Sequence, residues 1–117
     1  MRKLLIVSLL IAPLATTAAH AHAFLDHASP AVGSSVSSAP GQVVLTFTQN
    51  LEASFSTATV TGPGGASVAT GKAQVSGNTM TVGLKGSGPG TYKVHWHALS
   101  VDTHTTQGTF SFQVGGQ

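Results

Sequence analysis

Beyond residue 24 the chain alternates apolar and polar positions in short runs separated by Gly, Pro, Ser and Asn. That rhythm predicts antiparallel strands with one face buried. Residues 42–49 are the first clear instance: Val43, Leu45 and Phe47 alternate with Val44, Thr46 and Thr48 behind the turn-forming Ala39-Pro40-Gly41. Residues 55–61 form a Thr-rich candidate, closed by Gly62-Pro63-Gly64-Gly65, residues that favour a turn over continued pairing. A weak strand is expected over 66–69. Residues 73–76 and 79–84 flank Gly77-Asn78 as a hairpin, with Met80, Val82 and Leu84 facing inward. The strongest strand covers 91–98, where period two sends Tyr92, Val94 and Trp96 to the core and Lys93, His95 and His97 to the other face. The last strand is expected over 109–114, with Phe110, Phe112 and Val114 inward, leaving 100–108 as a polar loop. With a further strand near Phe24 and Leu25, the count reaches about seven, and no stretch has a helical period. The predicted fold is all-β, an immunoglobulin-like Greek-key β-sandwich.

The beginning of the chain breaks this pattern. Arg2 and Lys3 precede a mostly apolar run over residues 4–14, followed by small residues over 15–19. This is the layout of a cleaved secretory signal peptide, and the run is well short of the roughly 20 residues that a spanning helix needs. Thr17-Ala18-Ala19, Ala19-His20-Ala21 and Ala21-His22-Ala23 all offer small residues to a signal peptidase. The first two cuts expose an N-terminal His and the third does not. We take the cut after Ala21, which removes 21 of the 117 residues and leaves 96, enough for one domain with a modest core. The expected organisation is a signal peptide over 1–21 and one domain over 22–117, an exported chain not embedded in a membrane after cleavage.

Charge narrows the possible partners. Arg2 and Lys3 leave with the signal, so Lys72, Lys85 and Lys93 balance Asp26, Glu52 and Asp102, and the mature chain is formally neutral. The sequence pI near 9.4 therefore largely reflects the signal segment, and a nucleic-acid partner has no basic patch to use. Cysteine is absent, which excludes disulfides and thiolate metal sites. Six histidines make imidazole the natural carrier of any chemistry.

A cut after Ala21 gives His22 a free α-amine beside its imidazole. Asp102-Thr103-His104 follows the strongest strand, and in an extended segment residues two apart point the same way, so a carboxylate and an imidazole converge. An Asp-x-His pair in a loop is also a common solvated or self-bonded arrangement, so spacing alone leaves both readings open. His95 and His97, opposite Trp96, are read as solvent-face residues rather than ligands. His27 is read the same way, on the strand face opposite His22, and His20 departs with the signal.

Five segments together resemble the CopC family of periplasmic copper-binding proteins of bacterial copper resistance. They are His22-Ala23-Phe24-Leu25, Ser29-Pro30-Ala31-Val32-Gly33-Ser34, Val44-Leu45-Thr46-Phe47-Thr48, Gly90-Thr91-Tyr92-Lys93-Val94-His95-Trp96 and Ser100-Val101-Asp102-Thr103-His104. The resemblance spans essentially the whole mature chain. It implies an immunoglobulin-like β-sandwich with copper(II) at one end, held by the α-amine and imidazole of His22, the carboxylate of Asp102 and the imidazole of His104. Such a tetragonal nitrogen and oxygen set suits copper(II). Some members of the family carry a second, copper(I) site in a loop rich in Met and His. Here residues 59–69 contain neither, and Met80 is assigned to the core, so a copper(II)-only type is expected.

The function implied is buffering or delivery of copper in the periplasm, with an inner-membrane copper transporter of the CopD type as the receiving partner. No enzymatic activity is expected. The alternative is a copper-dependent polysaccharide monooxygenase using the same N-terminal His chelate, which requires an open coordination position and a flat aromatic face that a buried Tyr92 and Trp96 do not provide. A plain spacer sandwich would leave the coincidence of His22, Asp102 and His104 without a purpose.

Overall fold

A computed structural model describes residues 25–86 and 88–115. Its strands are β1 (Leu25–Ser29), β2 (Ser35–Val36), β3 (Gln42–Phe47), β4 (Thr57–Thr61), β5 (Gln74–Ser76), β6 (Thr79–Gly83), β7 (Gly90–Leu99) and β8 (Thr105–Val114). They form two four-stranded sheets, in the orders β1-β3-β6-β5 and β2-β8-β7-β4. Apart from the short parallel pair of β2 with β8, every pairing is antiparallel. With β2 counted as an extension of the first strand, this is the ABED and CFG arrangement of an immunoglobulin-like sandwich.

The alternation read from the sequence decides what fills the space between the sheets. All twelve residues assigned inward on β3, β6, β7 and β8 and at Leu84 are 8% exposed or less. One aromatic contact joins the two sheets and another braces the sheet that carries β7 and β8. Phe47 of β3 meets Trp96 of β7 edge-on across the two sheets, with ring centroids 5.2 Å apart, a geometry favoured by the aromatic quadrupoles. Tyr92 stacks on Phe112 at 5.3 Å, while its hydroxyl donates to the Gly88 carbonyl at 2.7 Å. That bond ties the β6–β7 connection to the start of β7, the tyrosine corner of this fold class. Opposite Trp96 lies Gly108, and a Cβ there would stand 2.7 Å from the indole Cζ2.

The structure departs from the expected strands in three places. β8 begins at Thr105, not at residue 109, because β7 and β8 form a continuous ladder from Gly90↔Val114 to Leu99↔Thr105. Backbone hydrogen bonding carries that strand through Thr105, Thr106, Gln107 and Gly108, polar or side-chain-free positions where hydrophobic alternation has nothing to mark. Residues 66–69 form isolated bridges, Thr61↔Ser67 and Ala69↔Leu84, so this segment crosses from one sheet to the other. Finally, β4 starts only at Thr57, after a 3-10 turn at Ala53–Phe55. Phe55 itself is 64% exposed.

Because β1 runs antiparallel to β3, its first residue, Leu25, pairs with Phe47, the last of β3. The bridge Leu51↔Ser100 brings the β3–β4 connection against the β7–β8 turn. The start of β1, that connection and that turn therefore share one end of the sandwich.

Candidate metal centre

The β7–β8 turn is a three-residue loop whose backbone closes on itself. Thr103 N donates to the Ser100 carbonyl and Ser100 N to the His104 carbonyl, both at 2.9 Å. Thr103 has φ 74°, the left-handed conformation that closes hairpins of this length. From the neighbouring connection, Val101 N donates to the Asn50 carbonyl at 3.0 Å and Glu52 N to the Leu99 carbonyl at 2.8 Å. These bonds hold the turn rigidly against the end of the sandwich.

Ser100 is fully buried and organises the polar groups above it. Its hydroxyl donates to Asp102 Oδ1 and accepts from His104 N at 3.2 Å. Gln49, two residues past the end of β3, adds a second donor: with the amide oriented to satisfy both its atoms, Nε2 lies 3.1 Å from Asp102 Oδ1 and 2.7 Å from Oδ2. The Asp102 carboxyl is held below its ordinary value, chiefly by the Ser100 hydroxyl, which outweighs the opposing desolvation; hydrogen bonds and charge from His104 lower it further. Asp102 is thus a carboxylate at neutral pH.

His104 Nδ1 lies 3.2 Å from Asp102 Oδ1, and the two side chains are 79% and 45% exposed. Two bonds of about 2.0 Å at a right angle place donor atoms about 2.8 Å apart, so this pair needs little movement to become adjacent ligands of one ion. The structure therefore brings Asp102 and His104 together. His22 lies outside the described residues. Among the described residues no three of His, Cys, Asp and Glu gather as a metal site, so the turn offers two donors.

The remaining histidines lie elsewhere. His27 pairs in register with Thr46, and its Nδ1 lies 2.7 Å from Asp26 Oδ2. His95 and His97 occupy the solvent face of β7, away from Trp96. Met80 is fully buried. Sequence reasoning missed Ser100 and Gln49. The only sequence signal for Ser100 is its place two residues before Asp102; Gln49 has none, because its part depends on β3 ending beside the turn.

The fold and turn define a small immunoglobulin-like β-sandwich that carries an adjacent, exposed carboxylate and imidazole at one end. Comparison with known proteins is more specific: residues 25–115 match the CopC domain, and the chain belongs to the CopC family. It is 38% identical over 112 residues to protein YobA of Escherichia coli K12, an alignment covering 92% of this chain and 90% of that protein. It is 38% identical over 110 residues to copper resistance protein C of Pseudomonas syringae pv. tomato, covering 86% of each. The crystal structure of CopC from Methylosinus trichosporium OB3b superposes with a TM-score of 0.72 at 28% identity, covering 80% of this chain and 93% of that one.

Proposed function

We propose that the exported chain, cut after Ala21, binds copper(II) through the α-amine and imidazole of His22 together with Asp102 and His104, and that it buffers or delivers copper in the periplasm. The observation that carries this reading is the Asp102–His104 pair at 3.2 Å on the same end of the sandwich where β1 begins. His22 lies three residue steps before Leu25, a span of about 10 Å when extended, so an N-terminal chelate would start from the same end of the sandwich as the turn. A family in which relatives are named copper resistance protein C points to the same metal.

Each group has a part in holding the cargo. Asp102, kept ionised by Ser100, supplies a negative charge without first losing a proton. His104 supplies a neutral ring nitrogen, and His22 would supply two nitrogens from one residue. Nitrogen and oxygen donors of this kind favour copper(II), which heads the affinity order of divalent first-row ions. An N-terminal amine has an ordinary pKa of about 7.7–8.0, so uptake displaces a proton and affinity falls as pH falls. Release at lower pH, or to a CopD-type membrane transporter, follows from that coupling. No helix of the described residues is long and apolar enough to cross a membrane.

The monooxygenase alternative gains little support: Tyr92 and Trp96, at 0% and 1% exposure, give a polysaccharide no aromatic platform. Intact mass of the exported protein establishes the cut, and copper titration followed by electron spin resonance tests the site. The mature chain should take up one tightly held copper(II) with tetragonal parameters and nitrogen couplings, and acetylation of the amine should collapse that affinity. Unchanged affinity after acetylation would refute the chelate.

A further inference from the structure

His95 and His97 lie outside the turn site, and their placement gives them chemistry of their own. Both project from the solvent face of β7, His95 exposed and His97 partly so. Residues two apart on a strand share a face and are rooted about 6.6 Å apart. Two bonds of about 2.0 Å to one ion separate the donor nitrogens by about 3 to 4 Å, so the rings need only lean toward each other.

The neighbouring strands complete the surroundings. β4 places Thr59 beside His95 and Thr57 beside His97, and β8 places Thr109 and Gln107 at the same two levels. His95 Nδ1 meets Thr109 Oγ1 at 2.9 Å, which steadies the ring and leaves Nε2 for a ligand, the usual support of a metal-bound imidazole. Lys93 is the next outward residue beyond His95, and its charge keeps this pair weaker than a site with a carboxylate.

We propose that His95 and His97 form a second metal site, a two-imidazole clamp on the outer face of β7 that takes a borderline divalent ion, copper(II) foremost. It uses neither His22 nor the cleaved N-terminus, so it exists in the chain whatever the cut. It fills after the turn site and raises the capacity of the chain to two ions when copper is plentiful.

Copper(II) titration of isotope-labelled mature protein tests this directly, because the paramagnetic ion broadens nearby amide signals. The first equivalent should broaden residues 100–104, and a second should broaden residues 94–98 with 57–59 and 107–109. His95→Ala or His97→Ala should weaken the second event on the order of tenfold or more and leave the first in place, and Thr109→Val should weaken it on the order of tenfold. Acetylating the amine should abolish the first event only, which separates the failure of one site from the failure of the other. These side chains face solvent, so the variants retain the fold, as the unchanged amide spectrum of the copper-free protein would show. Broadening of β7 that persists in His95→Ala, or that never develops with excess copper, would overturn the proposal.

Discussion

Thr103 offers a test of how the turn presents Asp102 and His104. Its φ of 74° costs a side chain with a Cβ about 1–2 kcal/mol, which glycine does not incur. Glycine returns about 0.5–1 kcal/mol of that relief through its greater freedom in the unfolded chain. The hydroxyl bond from Thr103 to the Asp102 carbonyl is lost in either small variant, so it cancels when glycine and alanine are compared. Thr103→Gly should therefore be more stable than Thr103→Ala by about 0.5–1 kcal/mol, or a few degrees in Tm for a domain of this size. Thermal unfolding of the copper-free mature protein, followed by far-ultraviolet circular dichroism and by Trp96 fluorescence, measures the difference. An alanine variant as stable as the glycine variant would refute the left-handed residue, and with it the loop geometry that sets Asp102 and His104 3.2 Å apart.

Three further substitutions test the rest of the framework. Ser100→Ala removes the main cause of the lowered Asp102 pKa, so the carboxyl should titrate closer to the ordinary 3.8. A depressed carboxyl pKa contributes stability that is present above the unfolded value and is lost as pH falls through the folded one. That contribution begins to fade as pH falls below about 3.8, is gone once the folded carboxyl is protonated, and should shrink in the variant; an unmoved carboxyl carbon titration by NMR would count against the assignment. Gly108→Ala drives a Cβ to 2.7 Å from Trp96 Cζ2 and should cost about 1–3 kcal/mol by overpacking, visible in denaturant unfolding and a shifted Trp emission. Tyr92→Phe leaves the ring stack on Phe112 intact but removes the donor to Gly88, for an expected loss of about 1 kcal/mol; equal stability would show the corner bond to be dispensable.

Much of this architecture was legible because hydrophobic burial follows period two along a strand. Val43, Leu45 and Phe47, then Tyr92, Val94 and Trp96, declare their faces without reference to any other part of the chain. The first four residues of β8 were illegible for the same reason: Thr105, Thr106, Gln107 and Gly108 are held by the ladder to β7, and a ladder has no composition. β2, of two residues, is too short to carry a pattern at all. At the site, Asp102 and His104 were singled out by the resemblance to the CopC family; their spacing would bring them together only in an extended segment.

The chain alone therefore determined that the domain is all-β and which residues of β3, β6, β7 and β8 face the core, both consequences of short-range periodicity. Tertiary structure decided what depends on contacts between distant segments. Phe47 reaches Trp96 only because the sheets stack, and Gln49 reaches Asp102 only because β3 ends beside the β7–β8 turn. Ser100 became the buried organiser of that turn once the bridge from Leu51 covered it. The same pairing of β1 with β3 sets the start of the domain beside the turn, and so puts the Asp102–His104 pair at the end of the sandwich where the proposed N-terminal chelate would begin.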